Sequence, residues 1–134
     1  MLDSALLEGR GRAQRSIRGK IGYVSGRMAE EAVADHYAQA GYALAASRWR
    51  GKAGEIDLIL QKDGGYIFVE VKASADHQQA AERLSRRQMD RICHAACEYV
   101  GDLPTGSLTE MRFDAALVDN FGRIEVLENA FGLN

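Results

Sequence analysis

GEIDLILQKDGGYIFVEVK, residues 54–72, decides how this chain folds. Two runs alternate in polarity, Glu55–Gln61 and Tyr66–Lys72, and Lys62-Asp63-Gly64-Gly65 separates them. Asp-Gly between alternating runs predicts a β-hairpin, because both central residues of a type I′ turn need a positive φ. With Asp63 and Gly64 at the centre, Leu60–Ile67, Leu58–Val69 and Ile56–Val71 pair on one face. Every one of those pairs is apolar, so that face should lie on a core. The other face pairs Gln61–Tyr66, Ile59–Phe68, Asp57–Glu70 and Glu55–Lys72. A one-residue slip would scramble the apolar set, so side chains and turn chemistry support the same register.

That register sets Asp57 opposite Glu70, with Cβ atoms about 4.5–5.5 Å apart. Like charges in that position repel, and Ile59 and Phe68 beside them lower the local dielectric. A proton on one carboxyl, or a cation between the two, would resolve the conflict. Ligands that are all oxygen favour a hard ion, Mg²⁺ or Mn²⁺. Lys72 would pair with Glu55 at rest, or meet an anionic substrate in use. Asp followed by Glu-x-Lys on the next strand is what metal-assisted phosphodiester cleavage requires. The carboxylates hold a metal that polarises a phosphoryl oxygen and activates water, and the lysine offsets developing charge. The plainer reading is a polar outer face with Glu55–Lys72 as a solvated ion pair. The apolar residues on both faces favour a sheet covered on both sides.

Working outward, Ser25 can cap a helix over about 26–40, with Ala29, Val33, Tyr37 and Ala40 on one face and Gly41 at its end. A strand of about 42–49 and a turn through Gly51–Gly54 lead into the hairpin. A helix is expected over about 82–100, then strands at Met111–Val118 and Arg123–Leu127 around Asp119-Asn120-Phe121-Gly122. The order α-β-β-β-α-β-β predicts an α/β domain with a mixed central sheet and helices packed against it.

The chain has 134 residues and a formal net charge of −2, enough for one domain and not for two. No apolar run is long enough for a membrane span, and no secretory signal is expected in MLDSALLEGRGRAQRS. Two cysteines form no disulfide framework, so a reducing, cytoplasmic setting is expected. The near-neutral total hides an asymmetry. Residues 1–27 carry six basic groups against Asp3 and Glu8, a balance of +4 that leaves −6 for the remainder. About 1–20 therefore read as a flexible basic arm ahead of a single domain over 21–134. Further basic clusters are Arg48, Arg50 and Lys52 around Trp49, and Arg83, Arg86, Arg87 and Arg91. Trp49 could stack on an unpaired base or simply cover a core edge. Cys93, His94 and Cys97 lack zinc-site spacing, and the cysteines fit a buried helix face better. The N-terminal glycines match neither a dinucleotide fingerprint nor a phosphate loop.

At GEIDLIL (54–60) and FVEVK (68–72) the sequence resembles the YraN family of bacterial proteins. That family is similar to Holliday-junction resolvases and belongs to the PD-(D/E)XK nuclease superfamily. The resemblance extends through GRMAEEAVADHYAQAGY (26–42), RWRGKAGEIDLIL (48–60), RRQMDRI (86–92), RFDAALV (112–118) and ENAF (128–131). It implies a restriction-endonuclease-like α/β/α core with the site on the central hairpin. By position it makes Asp57 and Glu70 metal ligands and Lys72 the catalytic lysine. Glu30 would reach the metal from the first helix, and Gln88 would help orient water or metal. Glu55 would support the ligands from behind. Ala29 stands where the family usually has glycine, Arg48 where it commonly has asparagine, and Ser74 where a basic residue is frequent.

The resulting expectation is a Mg²⁺- or Mn²⁺-dependent endonuclease cutting DNA rather than RNA, branched or structured DNA included. Arg48, Arg50, Lys52, Arg86 and Arg87 are the expected nucleic-acid contacts, and analogy with resolvases implies a homodimer. A binding module with weak or absent cleavage is the alternative, and a small assembly factor that meets a protein partner is a third reading.

Overall fold

Asp63 and Gly64 both take positive φ, 53° and 82°, which is the combination the type I′ turn demands. The computed structural model describes residues 26–132. A helix over 26–39 (α1) leads to β1 (Ala43–Arg50), β2 (Glu55–Lys62) and β3 (Gly65–Ala73). Then come α2 (His77–Glu82), α3 (Arg86–Gly101), a 3₁₀ turn at Gly106–Leu108, β4 (Met111–Val118) and β5 (Ile124–Leu127). The five strands lie in sequence order, and only the β3–β4 pair is parallel. Antiparallel neighbours join by short turns, whereas the parallel pair needs the helical crossover that α2 and α3 supply. Among the described residues no helix is long and apolar enough to cross a membrane. The expected arm at 1–20 and the Ser25 expected to cap α1 lie outside the described residues.

Each face of the sheet is covered, as the apolar alternation of the hairpin requires. On one face Ala29, Val33 and Tyr37 of α1 pack on Leu58, Leu60, Ile67 and Val69. On the other, Ile92, Cys93, Ala96 and Val100 of α3 pack on Ile59, Phe68 and Phe113. Ala40, expected on the buried face of α1, is exposed beyond the helix end. Cys97, expected on the buried face of α3, is also exposed, while Cys93 is buried and its thiol is pushed up to about 11. The helix expected over 82–100 is α3, which starts later at Arg86, and a separate short helix, α2, precedes it. Asp76 caps α2 by accepting from the Gln79 N–H, and Ser85, in an extended conformation, caps α3 by accepting from the Gln88 N–H. Two caps nine residues apart impose a break that helix propensity alone does not show.

The hairpin register is the expected one from Lys62↔Gly65 to Leu58↔Val69, and there the ladder stops. Ile56 and Val71 do not pair. Ile56 is buried with Ile59 and Phe68 under α3, whereas Val71 packs on the α1 side. Strand β1 makes the same change at the same level. Ser47 pairs with Leu58 and Trp49 with Ile56, and the residue between, Arg48, has φ 51°. A left-handed residue interrupts strict alternation, and in a non-glycine it carries roughly 1–2 kcal/mol of strain. Trp49 follows the switch into the α3 core, edge-to-face on Tyr99 at 5.4 Å, so it covers a core edge.

In the middle of β4, on the face covered by α1, Asp114 is wholly buried. The Tyr37 hydroxyl donates to it at 2.7 Å, Arg112 donates through Nε and a terminal nitrogen at 2.9 Å each, and the Asn129 N–H adds a fourth bond. Burial and the adjacent Asp114 push the Tyr37 hydroxyl far above its ordinary range, so it stays a donor. This cluster ties α1 to β4 and to the C-terminal segment.

Candidate active site

The acidic site forms where the alternation of β1 and β2 breaks. Freed from the ladder, the Asp57 carboxylate accepts the Val71 N–H at 2.9 Å, in place of a backbone carbonyl. Glu70, on β3, is 4% exposed and lines the same cleft as Asp57. The Gln88 amide, from the first turn of α3, donates to Glu70 Oε2 at 2.5 Å. Lys72 Nζ lies 3.2 Å from the same oxygen and is itself largely buried. The expected Glu55–Lys72 pair does not form. Past Val69 the strands no longer oppose one another, so Lys72 turns to Glu70 and Glu55 faces Arg50 at 3.8 Å.

Burial pushes the Glu70 carboxyl up to about 8, the Asp57 charge pushes the same way, and Lys72 pulls back only part of it. Asp57 is also raised by burial, against the Val71 N–H, the Glu70 side chain and Lys72. Both carboxyls are therefore pushed toward their protonated forms, because the protein supplies less positive charge than the pair requires. Among the described residues no third His, Cys, Asp or Glu joins them as a ligand cluster. Two carboxylates suit Mg²⁺ nonetheless, since that ion commonly keeps waters and takes substrate phosphate oxygens in its remaining positions. The all-oxygen donor set and the missing countercharge fit such an ion.

The cleft over the pair has a volume of about 250 Å³ and is bounded by Ala53, Gly54 and Glu55, by Asp57 and Glu70, and by Gln88, Arg91 and Ile92 of α3. A larger hollow of about 690 Å³ lies at the hairpin-turn end of the sheet. Its cations are already engaged: Lys62 bonds the Ala40 carbonyl and sits over the Tyr42 ring, and Arg112 serves Asp114. Chemistry therefore points to the smaller cleft.

Not every residue of the sequence-based set converges there. Glu30 lies on the α1 side, where Arg48 Nε donates to Oε1 at 2.9 Å. Arg86 pairs with Asp90 one turn along α3 at 3.4 Å. Arg50 and Arg87 are exposed, and the Lys52 and Ala53 N–H groups both donate to the Glu98 carboxylate at 3.0 and 2.9 Å. Gly51 has no room for a side chain, since a Cβ there would meet the Trp49 ring at 2.7 Å and Glu98 Oε1 at 2.6 Å. Arg91 and Glu98 were not singled out from sequence for the site. The signal was present in helical spacing, because Gln88, Arg91, Ala95 and Glu98 recur along one side of α3. Glu98 is held well below the usual carboxylate range by the two loop N–H groups.

Compared with known proteins, residues 29–118 match the model of "Uncharacterised protein family UPF0102". A UPF0102 protein of Cereibacter sphaeroides is 56% identical over 113 residues, covering 84% of this chain and 97% of the relative. One of Ruegeria pomeroyi is 50% identical over 115 residues, 86% of this chain and 94% of the relative. One of Dinoroseobacter shibae is 43% identical over 115 residues, 86% of each.

Proposed function

The chain belongs to the UPF0102 (YraN) family, and from that premise and the site geometry we propose that it is a metal-dependent endonuclease hydrolysing phosphodiester bonds of DNA. The observation that carries this reading is a buried Glu70 held against Asp57, with Lys72 and Gln88 on one of its oxygens. Asp57 and Glu70 would hold Mg²⁺ or Mn²⁺, which when bound supplies Lewis-acid polarisation and a lowered pKa for an attacking water. Gln88 fixes the Glu70 rotamer, so one carboxylate oxygen is committed and the orientation of the other follows. Lys72, 3.2 Å from Glu70 Oε2, would donate to a non-bridging phosphate oxygen and offset the charge that develops there. Glu98 keeps the Lys52–Ala53 loop closed against α3 at the mouth of the cleft.

A nucleic-acid-binding module with weak or absent cleavage is the second reading, and the capture of Glu30 by Arg48 favours it. Plasmid, four-way-junction DNA and structured RNA incubated with Mg²⁺ or Mn²⁺ separate the two. The endonuclease reading expects cuts in DNA that fall by about 100-fold or more in Lys72→Ala, with the circular-dichroism spectrum unchanged. DNA binding without cutting in the parent chain, equally strong in Lys72→Ala, would establish the binding module instead.

A further inference from the structure

We propose that Arg91 is the phosphate-binding residue of the cleft, holding the DNA backbone against the Asp57–Glu70 pair. The inference rests on the phosphodiesterase reading of that site and adds a residue to it. Three observations carry it. Among the described residues Arg91 is the only basic one lining the cleft, which it borders together with Glu55, Asp57 and Glu70. Among the described residues it makes no ion pair or side-chain hydrogen bond, although three carboxylates lie around the same space. It stands one turn beyond Gln88 on α3, with its Cβ 3.8 Å from where a side chain at Gly54 would begin, so the loop and helix fix the base of the residue. Of the other cations nearby, Lys72 is committed to Glu70, Arg48 to Glu30, Arg86 to Asp90 and Arg50 to Glu55, and Lys52 and Arg87 are exposed and do not line the cleft.

An anion entering a cleft lined by three carboxylates needs a cation that is not already neutralised by one of them. A guanidinium is suited to this, since its fork can bond two oxygens of one phosphate while remaining charged at any working pH. Arg91 meets the ligand from the helix side and Lys72 from the strand side. A phosphodiester seated between them has its oxygens turned toward the carboxylate pair.

The test compares the full chain carrying Lys72→Ala with the same chain also carrying Arg91→Ala or Arg91→Lys. Fluorescence anisotropy follows binding of a labelled duplex and a labelled four-way junction in Mg²⁺ across a salt series. Loss of one charge-assisted phosphate contact should weaken binding by about 10- to 100-fold. It should also reduce the slope of log K against log salt by about 0.9. Arg91→Lys should keep the slope and recover part of the affinity. Unchanged affinity and slope in Arg91→Ala would overturn the assignment of Arg91 alone. No salt-dependent binding by the Lys72→Ala chain would overturn it together with the DNA reading. Arg91-dependent binding beside a parent chain that never cuts would keep Arg91 and reject the endonuclease.

Discussion

Two sets of carboxylates lie buried or half-buried in this sheet, and the protein treats them in opposite ways. Asp114 is saturated, with a tyrosine hydroxyl, a two-pronged arginine and a backbone N–H on its oxygens. Asp57 and Glu70 share one lysine, one glutamine and one backbone N–H, and the Asp57 charge pushes the Glu70 carboxyl up. A saturated buried acid holds elements together, because removing it leaves its partners orphaned. An undersatisfied pair stores a demand for positive charge, which is what a metal or a substrate complex can meet. The contrast separates architecture from chemistry without reference to any relative.

The sharpest way to break the comparison is to mutate both sites. Asp114→Asn should lower unfolding stability by roughly 2–4 kcal/mol in urea titrations. The lower part of the range for broken buried pairs applies because the Arg112 side chain keeps 29% of its exposure and can hydrate. Glu70→Gln should do the reverse at alkaline pH. Glu70 is protonated in the folded chain up to about 8 against an ordinary value of 4.5. Between those values the folded state holds more protons than the unfolded one, so unfolding free energy falls as pH rises through the window. The stabilisation is complete below about 4.5 and gone above about 8. In chelator, Glu70→Gln should flatten that slope and exceed the parent by on the order of 1–3 kcal/mol at pH 9. If Glu70→Gln were as damaging as Asp114→Asn at every pH, the two sites would not differ in kind.

A smaller effect sharpens the picture at the loop. Glu98→Ala should speed amide exchange at Lys52 and Ala53 several-fold while leaving the Asp114 cluster unchanged. Equal protection in the variant would show that the loop is held by Gly51 packing on Trp49 alone.

Much of this was legible in the sequence because it depends on local rules. Asp63-Gly64 fixes the turn, and the apolar pairs fix the register from Leu58 to Lys62. Asp57, Glu70 and Lys72 follow as neighbours on adjacent strands. The loss of alternation at Arg48 and Asp57 was not legible, because a left-handed arginine violates residue preference and is held by tertiary contacts. Its consequences were missed with it: Ile56 under α3, Lys72 on Glu70, and Glu30 on Arg48. Gln88 entered through the resemblance, and the structure gives it a physical task. Arg91 and Glu98 lie within a helix that propensity describes correctly, but only the packing of α3 on β2 says which of its sides faces the site.

The central claim is that Asp57 and Glu70 are poised for a divalent cation. Crystals of the full chain soaked in Mn²⁺ test it directly by anomalous scattering. The account predicts a peak within coordination distance of both carboxylates, abolished in Glu70→Gln crystals. Manganese bound elsewhere on the chain, with none between Asp57 and Glu70, would contradict it.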